Sequence, residues 1–489
     1  MPNKLKSYNL QPGFSLVEVI LAIAIFALLA SGLFGSYLYG QEASMLAGYR
    51  ARGAMRVDEG LEAARNMRDA GFGNLAAGTY GLSQAGNQWS FAGVQDVADI
   101  FTRQTNVVSI DSRRALVTAT VTWQQNAQRS GSASAVTRFT DWQRSIGDWS
   151  NSTLEGTFDL TVANSGNNNA DGRSIATAGN LVYVGRTNSA GREFYIFDVS
   201  DPSAPLLVGS RDLNGNPNGI VIRGNYAYVG SDDNAQELQI IDISDSATIA
   251  NPGKLTSVDL TVANSGNNNA NGTALAIAGS YLLMTRDAGD GFLIFDLSNP
   301  SAPGNPIGRV NTITGIPSDV AVSGNYAYVS SDDNAAELQV VDITNKVAPS
   351  RVAVFDLNSG NANANALSVA VDGSYVLVGR AASAAPELYS LSIAVPTAPS
   401  LSSTLELNAN VRKISVDPNV GYVFLATSDL ANDVQIVNAT DPSTLGTPPP
   451  LGRRNINDGP LAIVYSALLN RAFIASSFNA EELQIVRPQ

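Results

Sequence analysis

A near-verbatim repeat is the strongest constraint on what this chain can fold into. Residues 158–172 recur at 258–272, and residues 226–244 recur at 326–344, both at an offset of 100 residues. Within each hundred lies a shorter unit: a Gly-Asn turn leading into Tyr-Val, a polar loop, an apolar run such as residues 237–244, and a Pro-containing corner. Aligning the second apolar segment of each unit places Tyr183, Tyr228, Leu283, Tyr328, Leu377, Phe424 and Phe473 in register, 45 to 55 residues apart. A unit of this kind cannot bury its apolar faces alone and must stack against its neighbours.

Units of this length, cut into several short strands by Gly-Asn turns and Asp-Pro corners, predict an all-β propeller over residues 153–489, with seven blades of four strands. The first blade reads as strand a at 174–178, b at 181–185, c at 194–199 and d at 206–211. The seventh has a at 461–465, b at 472–476 and c at 483–487, after which the chain stops without a strand d. Residues 153–160, upstream of the first strand a, are expected to supply it and so close the circle, because an open ring would expose strand edges. In such a meander the d–a and b–c loops share one face. The chain then enters on the other.

The first third of the chain is built differently. A leader with Lys4 and Lys6 precedes Gly13, Phe14 and Glu18, and an apolar run extends from Val19 to about Tyr39. As a helix that run spans roughly 30 Å, enough to cross the hydrocarbon of a bilayer, and the basic leader fits a cytoplasmic N-terminus. A carboxylate at the edge of such a segment is costly and calls for a partner. Beyond it Leu46, Tyr49, Gly53, Val57, Leu61 and Ala64 recur at three- and four-residue steps, so one helix is expected over 14–67. Strands are expected at 106–109, 115–123 and 135–140, with 124–134 as a hairpin loop, and Trp123 and Trp142 in a small core.

Composition narrows the chemistry. The chain has no Cys and no His, which removes disulfides, the usual zinc sites and the commonest general base. Residues 1–150 carry 13 basic and 11 acidic side chains, and the remainder 17 and 32, so the acidity belongs to the repeats and argues against nucleic acid as their partner. The acids of the repeats recur in equivalent loops, whereas an active site needs one asymmetric cluster, so no enzyme is expected.

Gly13, Phe14, Glu18 and the apolar run resemble the type IV prepilin signal shared by pilins and pseudopilins. The resemblance implies cleavage of leader 1–13 by a prepilin peptidase, methylation at Phe14, assembly with other pilin subunits through helix 14–67, and pairing of Glu18 with a neighbour's N-terminus. Residues 68–148 resemble a pilin head, a small antiparallel sheet on the helix, joined by linker 149–152 to the repeats. Segments 194–200, 238–244, 293–298 and 338–344 resemble the LVIVD-type repeat of bacterial surface propellers. The fold expected is thus an α+β pilin-like domain followed by an all-β seven-bladed propeller.

Function follows as an expectation: a minor or tip pilin-like subunit, first in the cytoplasmic membrane and then on an extracellular filament, displaying the propeller to an extracellular ligand or surface. A secretion or DNA-uptake pseudopilin binding exported cargo is the alternative, and a membrane-tethered propeller the third reading. On the d–a and b–c face the candidate binding residues are Asp232, Asp233 and Glu237 with Asp332, Asp333 and Glu337. Asn167, Asn169 and Asp171 have the alternating oxygen spacing of a calcium (Ca2+) loop, without the terminal acid that would supply a bidentate ligand; structural Asx turns are the favoured alternative.

Overall fold

The computed structural model describes residues 15–86, 88–111, 114–126, 129–141, 147–160, 170–188, 191–245, 250, 252–260, 270–357, 364–417, 421–445, 450–456 and 459–489. The chain divides into two compact units, Met1–Ser145 and Ile146–Gln489.

In the first unit a single helix, α1 (Leu16–Ala70), precedes a sheet of six strands: β1 (Gly78–Ala85), β2 (Gln88–Ala92), β3 (Asp96–Ala98), β4 (Phe101–Asp111), β5 (Arg114–Asn126) and β6 (Arg129–Thr140). The order is β2-β1-β4-β5-β6, with β3 paired to β4. Only the C-terminal part of α1 is buried, through Gly53, Val57, Gly60, Ala63, Ala64 and Met67, on the face the sequence period marks. These small residues let the helix lie close to the sheet: a Cβ on Gly53 would come within 2.5 Å of the Trp123 ring, and one on Gly60 within 3.1 Å of Ala119 Cβ. Along β5, Ala115, Val117, Ala119, Val121 and Trp123 are buried and alternate with more exposed neighbours.

Two expectations need correcting. Residues 124–126 and 129–134, expected in a loop, belong to strands: pairing runs on through Gln124↔Ser130 and Trp123↔Gly131. Gly131 makes room for the indole, because a Cβ there would lie 2.4 Å from it. The sheet also includes β1, β2 and β3, whose short polar strands have too little alternation to stand out. One buried charge ties helix to sheet. Arg103, 3% exposed, donates to both carboxylate oxygens of Asp96 at 3.1 Å and to Glu59 at 3.0 Å. Trp142 lies outside the described residues.

The second unit contains, among the described residues, seven four-stranded antiparallel sheets, here sheets 1–7. Sheet 1 comprises strands a (Gly172–Ala178), b (Leu181–Arg186), c (Phe194–Asp198) and d (Leu206–Arg211), and the others repeat this meander. Strands b and c are buried at nearly every residue rather than at alternate ones, because each sheet is covered on both faces by its neighbours. Strand a of each sheet packs on strand a of the next, and strand a of sheet 7 (Pro460–Ser466) packs on that of sheet 1. The arrangement is that of a propeller-like all-β region. The outer position of sheet 7 is taken by β7 (Thr153–Phe158), paired antiparallel with Leu483–Arg487 from Phe158↔Leu483 to Thr153↔Arg487.

The segment expected as linker 149–152 belongs to this unit. Trp149 is 1% exposed and packs edge-on against Phe424 and Tyr465, in the core between sheets 6 and 7. Strand d of sheet 6 is only Gly452–Arg454, and the indole fills space that a longer strand would cover. Asp148 and Gln489 exchange backbone hydrogen bonds at 2.7 and 3.1 Å, so both ends of the unit meet on the face opposite the d–a and b–c loops.

Candidate functional site

Three sets of residues bear on function: the N-terminal end of α1, the loops at the d–a and b–c face, and the space enclosed by the seven strands a.

Ser15 and Glu18 form a reciprocal capping box. The Ser15 hydroxyl accepts the Glu18 N–H at 3.2 Å, and Glu18 Oε2 accepts the Ser15 N–H at 2.9 Å. Within the single chain, Glu18 therefore holds the first turn of its own helix. Gly13 and Phe14 lie outside the described residues. From Leu16 to Tyr39 the large apolar side chains are exposed, for example Leu28 at 75% and Phe26 at 73%. A surface of this size requires a bilayer or other helices to cover it.

The acids of the loops do not act as one set. Glu237 and Glu337, expected on the outward face, are fully buried. Each sits just before strand c and accepts a backbone N–H from the start of the next d–a loop: Leu260 to Glu237 at 2.9 Å, Leu357 to Glu337 at 3.0 Å. The same bond joins Glu193 to Leu213, Glu387 to Leu407, Asp433 to Ile456 and Glu482 to Leu160, at 2.7–3.0 Å. Sheet 3 has Gly291 at this position, and the Ile313 side chain lies where a Cβ would go. A carboxylate repeated in this way satisfies an otherwise orphaned buried amide; its recurrence marks structure, not recognition. Burial pushes the carboxyls of Glu237, Glu337 and Glu482 above their ordinary range.

Buried arginines complete these latches between sheets. Arg186, Arg286 and Arg380 end strand b of sheets 1, 3 and 5 and are fully buried. Arg186 lies 3.6 Å from Glu482 of sheet 7, and Arg286 lies 3.4 Å from Glu237 of sheet 2. Each arginine also donates to a backbone carbonyl of its own d–a loop: Ala170, Ala270 and Ala364 respectively.

The four aspartates brace loops. Asp232 and Asp332 accept the backbone N–H of Asn216 and Ile316, each at 2.5 Å, from the neighbouring d–a loop. Asp233 and Asp333 accept from Ala235 and Ala335 two residues on, at 2.9 and 3.0 Å. The Thr314 hydroxyl and the Ala335 amide hold the Asp333 carboxyl below its ordinary range. Gly215 and Gly315, both at positive φ, pass so close to these pairs that a Cβ would meet Asp232 or Asp332 within 2.8 Å. Asn167 and Asn169 of the calcium spacing lie outside the described residues, and the Asp171 carbonyl accepts from Thr187 N–H at 2.8 Å. Among the described residues no group of three or more acids is placed to hold a metal ion.

The sequence reading missed the axial space. Every strand a shifts register at its second residue, from Gly172/Ser174 in sheet 1 to Pro460/Ala462 in sheet 7, and such a bulge re-aims the side chain it carries. These second residues, Arg173, Asn218, Thr273, Ser318 and Arg412 among them, line a cavity of about 160 Å³. Deeper in it Asp319, 3% exposed, accepts from Lys413 Nζ at 2.7 Å and from the amides of Val320 and Val369 at 2.9 and 3.2 Å. Arg173 Nε donates to Asn218 Oδ1 at 2.7 Å, and Arg412 Nη1 donates to the Pro460 carbonyl at 3.3 Å. Each unit's departure from its repeat at this one position was the available signal.

Comparison with known proteins agrees with both halves of this description. The prokaryotic N-terminal methylation motif matches residues 8–34. The LVIVD repeat matches residues 170–212, 214–255, 272–312 and 314–356, nearly one match to each of sheets 1–4. No curated protein matches the chain. Among solved structures, a chain in the crystal structure of the mitotic checkpoint complex is similar with a TM-score of 0.51 at 14% identity, over 69% of this chain and 96% of that one. Sqt1 from Chaetomium thermophilum gives 0.46 at 15% identity, over 67% and 82%. A putative 6-phosphogluconolactonase from Bacteroides uniformis ATCC 8492 gives 0.49 at 15%, over 60% and 88%. The first is a likeness of fold alone, and the lower scores of the others add nothing to it. The chain therefore joins a prokaryotic N-terminal methylation motif on a long apolar helix to an array of LVIVD repeats in a propeller-like all-β region.

Proposed function

We propose that the chain is a minor or tip subunit of a type IV pilus-like filament and that it displays a closed seven-bladed propeller for extracellular binding. The observation that carries this reading is the exposed apolar half of α1, headed by Glu18 and matched by the methylation motif. It needs a membrane before assembly and neighbouring helices after it. Processing would fall after Gly13, and cleavage would free Phe14 for methylation and expose Glu18 to a neighbour's positive N-terminus. The ring would be closed by β7 in sheet 7, backed by the latch from Glu482 to Leu160. A domain of this bulk fits a tip or an occasional position better than every position of a packed rod. Its work would be binding, not catalysis, on the d–a and b–c face, opposite the one at which the chain enters.

The test is Glu18→Ala. In a filament subunit this change should sharply reduce the amount of the protein in sheared filaments while leaving the membrane pool intact. An unchanged sheared fraction would refute incorporation through Glu18, and absence of the wild-type protein from sheared filaments would leave a membrane-tethered propeller.

A further inference from the structure

We propose that the axial cavity of the repeat unit is a binding site for a small oxyanion, held by Arg173 and Arg412. The inference rests on seven strands a enclosing a common space, and not on incorporation into a filament. Residues 151–489 carry 32 acids against 17 bases, yet the cavity gathers Arg173, Arg412 and Lys413 around a single acid, Asp319. That acid is already committed to Lys413 and to two backbone amides, so it does not offset the arginines. Neither Arg173 nor Arg412 has an ion-pair partner among the described residues.

Both guanidinium groups are oriented by one hydrogen bond and keep further N–H donors free for a planar or tetrahedral oxyanion, the geometry guanidinium forks recognise. The bulge in each strand a turns these side chains inward, so the site is built into the backbone of the array. A space of about 160 Å³ is room for about five waters, which suits one anionic group and the few atoms bearing it rather than a polymer chain. Strand a begins at the d–a loop, so the cavity opens toward the same face as the acidic loops. The shared chemistry is that of a carboxylate or a phosphate.

The test is isothermal titration of the full-length protein in detergent micelles with sodium malonate and with sodium phosphate, against sodium chloride at matched ionic strength. Saturable one-to-one binding of either anion is expected, and which of the two binds tells a carboxylate site from a phosphate site. The Arg173→Gln/Arg412→Gln variant should weaken it at least tenfold, whereas Asp319→Asn, which frees the Lys413 ammonium from its ion pair, should strengthen it. Arg173→Lys, which keeps the charge, should bind with intermediate affinity and guards against loss of fold in the double variant. Absence of saturable heat with both anions, or unchanged affinity in a double variant that melts like the wild type, would overturn the proposal.

Discussion

Replacing Glu482 by Ala should loosen the junction between the two ends of the repeat unit more than any surface change. Glu482 Oε2 accepts the Leu160 amide at 2.7 Å, and Oε1 lies 3.6 Å from Arg186, both side chains being fully buried. A hydrogen bond to a charged acceptor contributes about 1.5–3 kcal/mol, and breaking a buried ion pair by removing one partner costs about 3–5 kcal/mol. One side chain carries both, so the effects overlap and the expected loss is about 3–5 kcal/mol. Glu482→Gln keeps an acceptor for Leu160 but not the charge, and about 1–3 kcal/mol is expected. Asn479→Ala, exposed in the same loop, should stay within about 0.5 kcal/mol. The assay is equilibrium urea unfolding of the full chain in detergent, with hydrogen exchange read on the amides of β7. A Glu482→Ala protein as stable as Asn479→Ala, or one with β7 as protected as in the wild type, would refute the latch.

Other expectations follow from the same contacts. Trp149→Ala removes a fully buried indole between sheets 6 and 7 and should cost about 3–5 kcal/mol in urea unfolding, although residue 149 precedes the first strand of the repeats. Gly53→Ala should destabilise the first unit by about 1–2 kcal/mol because its Cβ meets the Trp123 ring, while Gly48→Ala, with nothing near, should stabilise α1 by about 0.5–1 kcal/mol; thermal melts distinguish the two. Raised carboxyls at Glu237, Glu337 and Glu482 mean that the native state keeps protons the unfolded state has released above its ordinary value of 4.5. Stability should therefore fall as pH rises from 4.5 through the raised values, and Glu237→Gln should flatten that slope in urea midpoints measured between pH 4.5 and 7.

Much of this architecture is legible in the sequence because repetition exposes it. Tyr183, Tyr228 and their counterparts mark strand b in every unit, and residues 153–158 pair with the third strand of sheet 7 where an outer strand is expected. The period of Gly53, Val57, Leu61 and Ala64 likewise marks the buried face of α1. Side-chain roles are less legible. Glu237 and Glu337 sit in polar loops beside Asp232 and Asp332, and only burial separates an acid that caps a hidden amide from one at the surface. Trp149 lies in a polar stretch that reads as linker, since its partners Phe424 and Tyr465 are some three hundred residues away. Arg173 and the adjacent pair Arg412 and Lys413 lie far apart in sequence, brought to one cavity by bulges that no local pattern announces.

The most direct test of the account is immunogold electron microscopy of piliated cells with an antibody against the repeat unit (Ile146–Gln489). Gold is expected on filaments, concentrated at tips or at sparse positions along them, and should be lost from filaments in the Glu18→Ala strain. Gold confined to the cell envelope while filaments stay unlabelled would contradict a filament subunit and assign the chain to a secretion pseudopilus or a membrane tether.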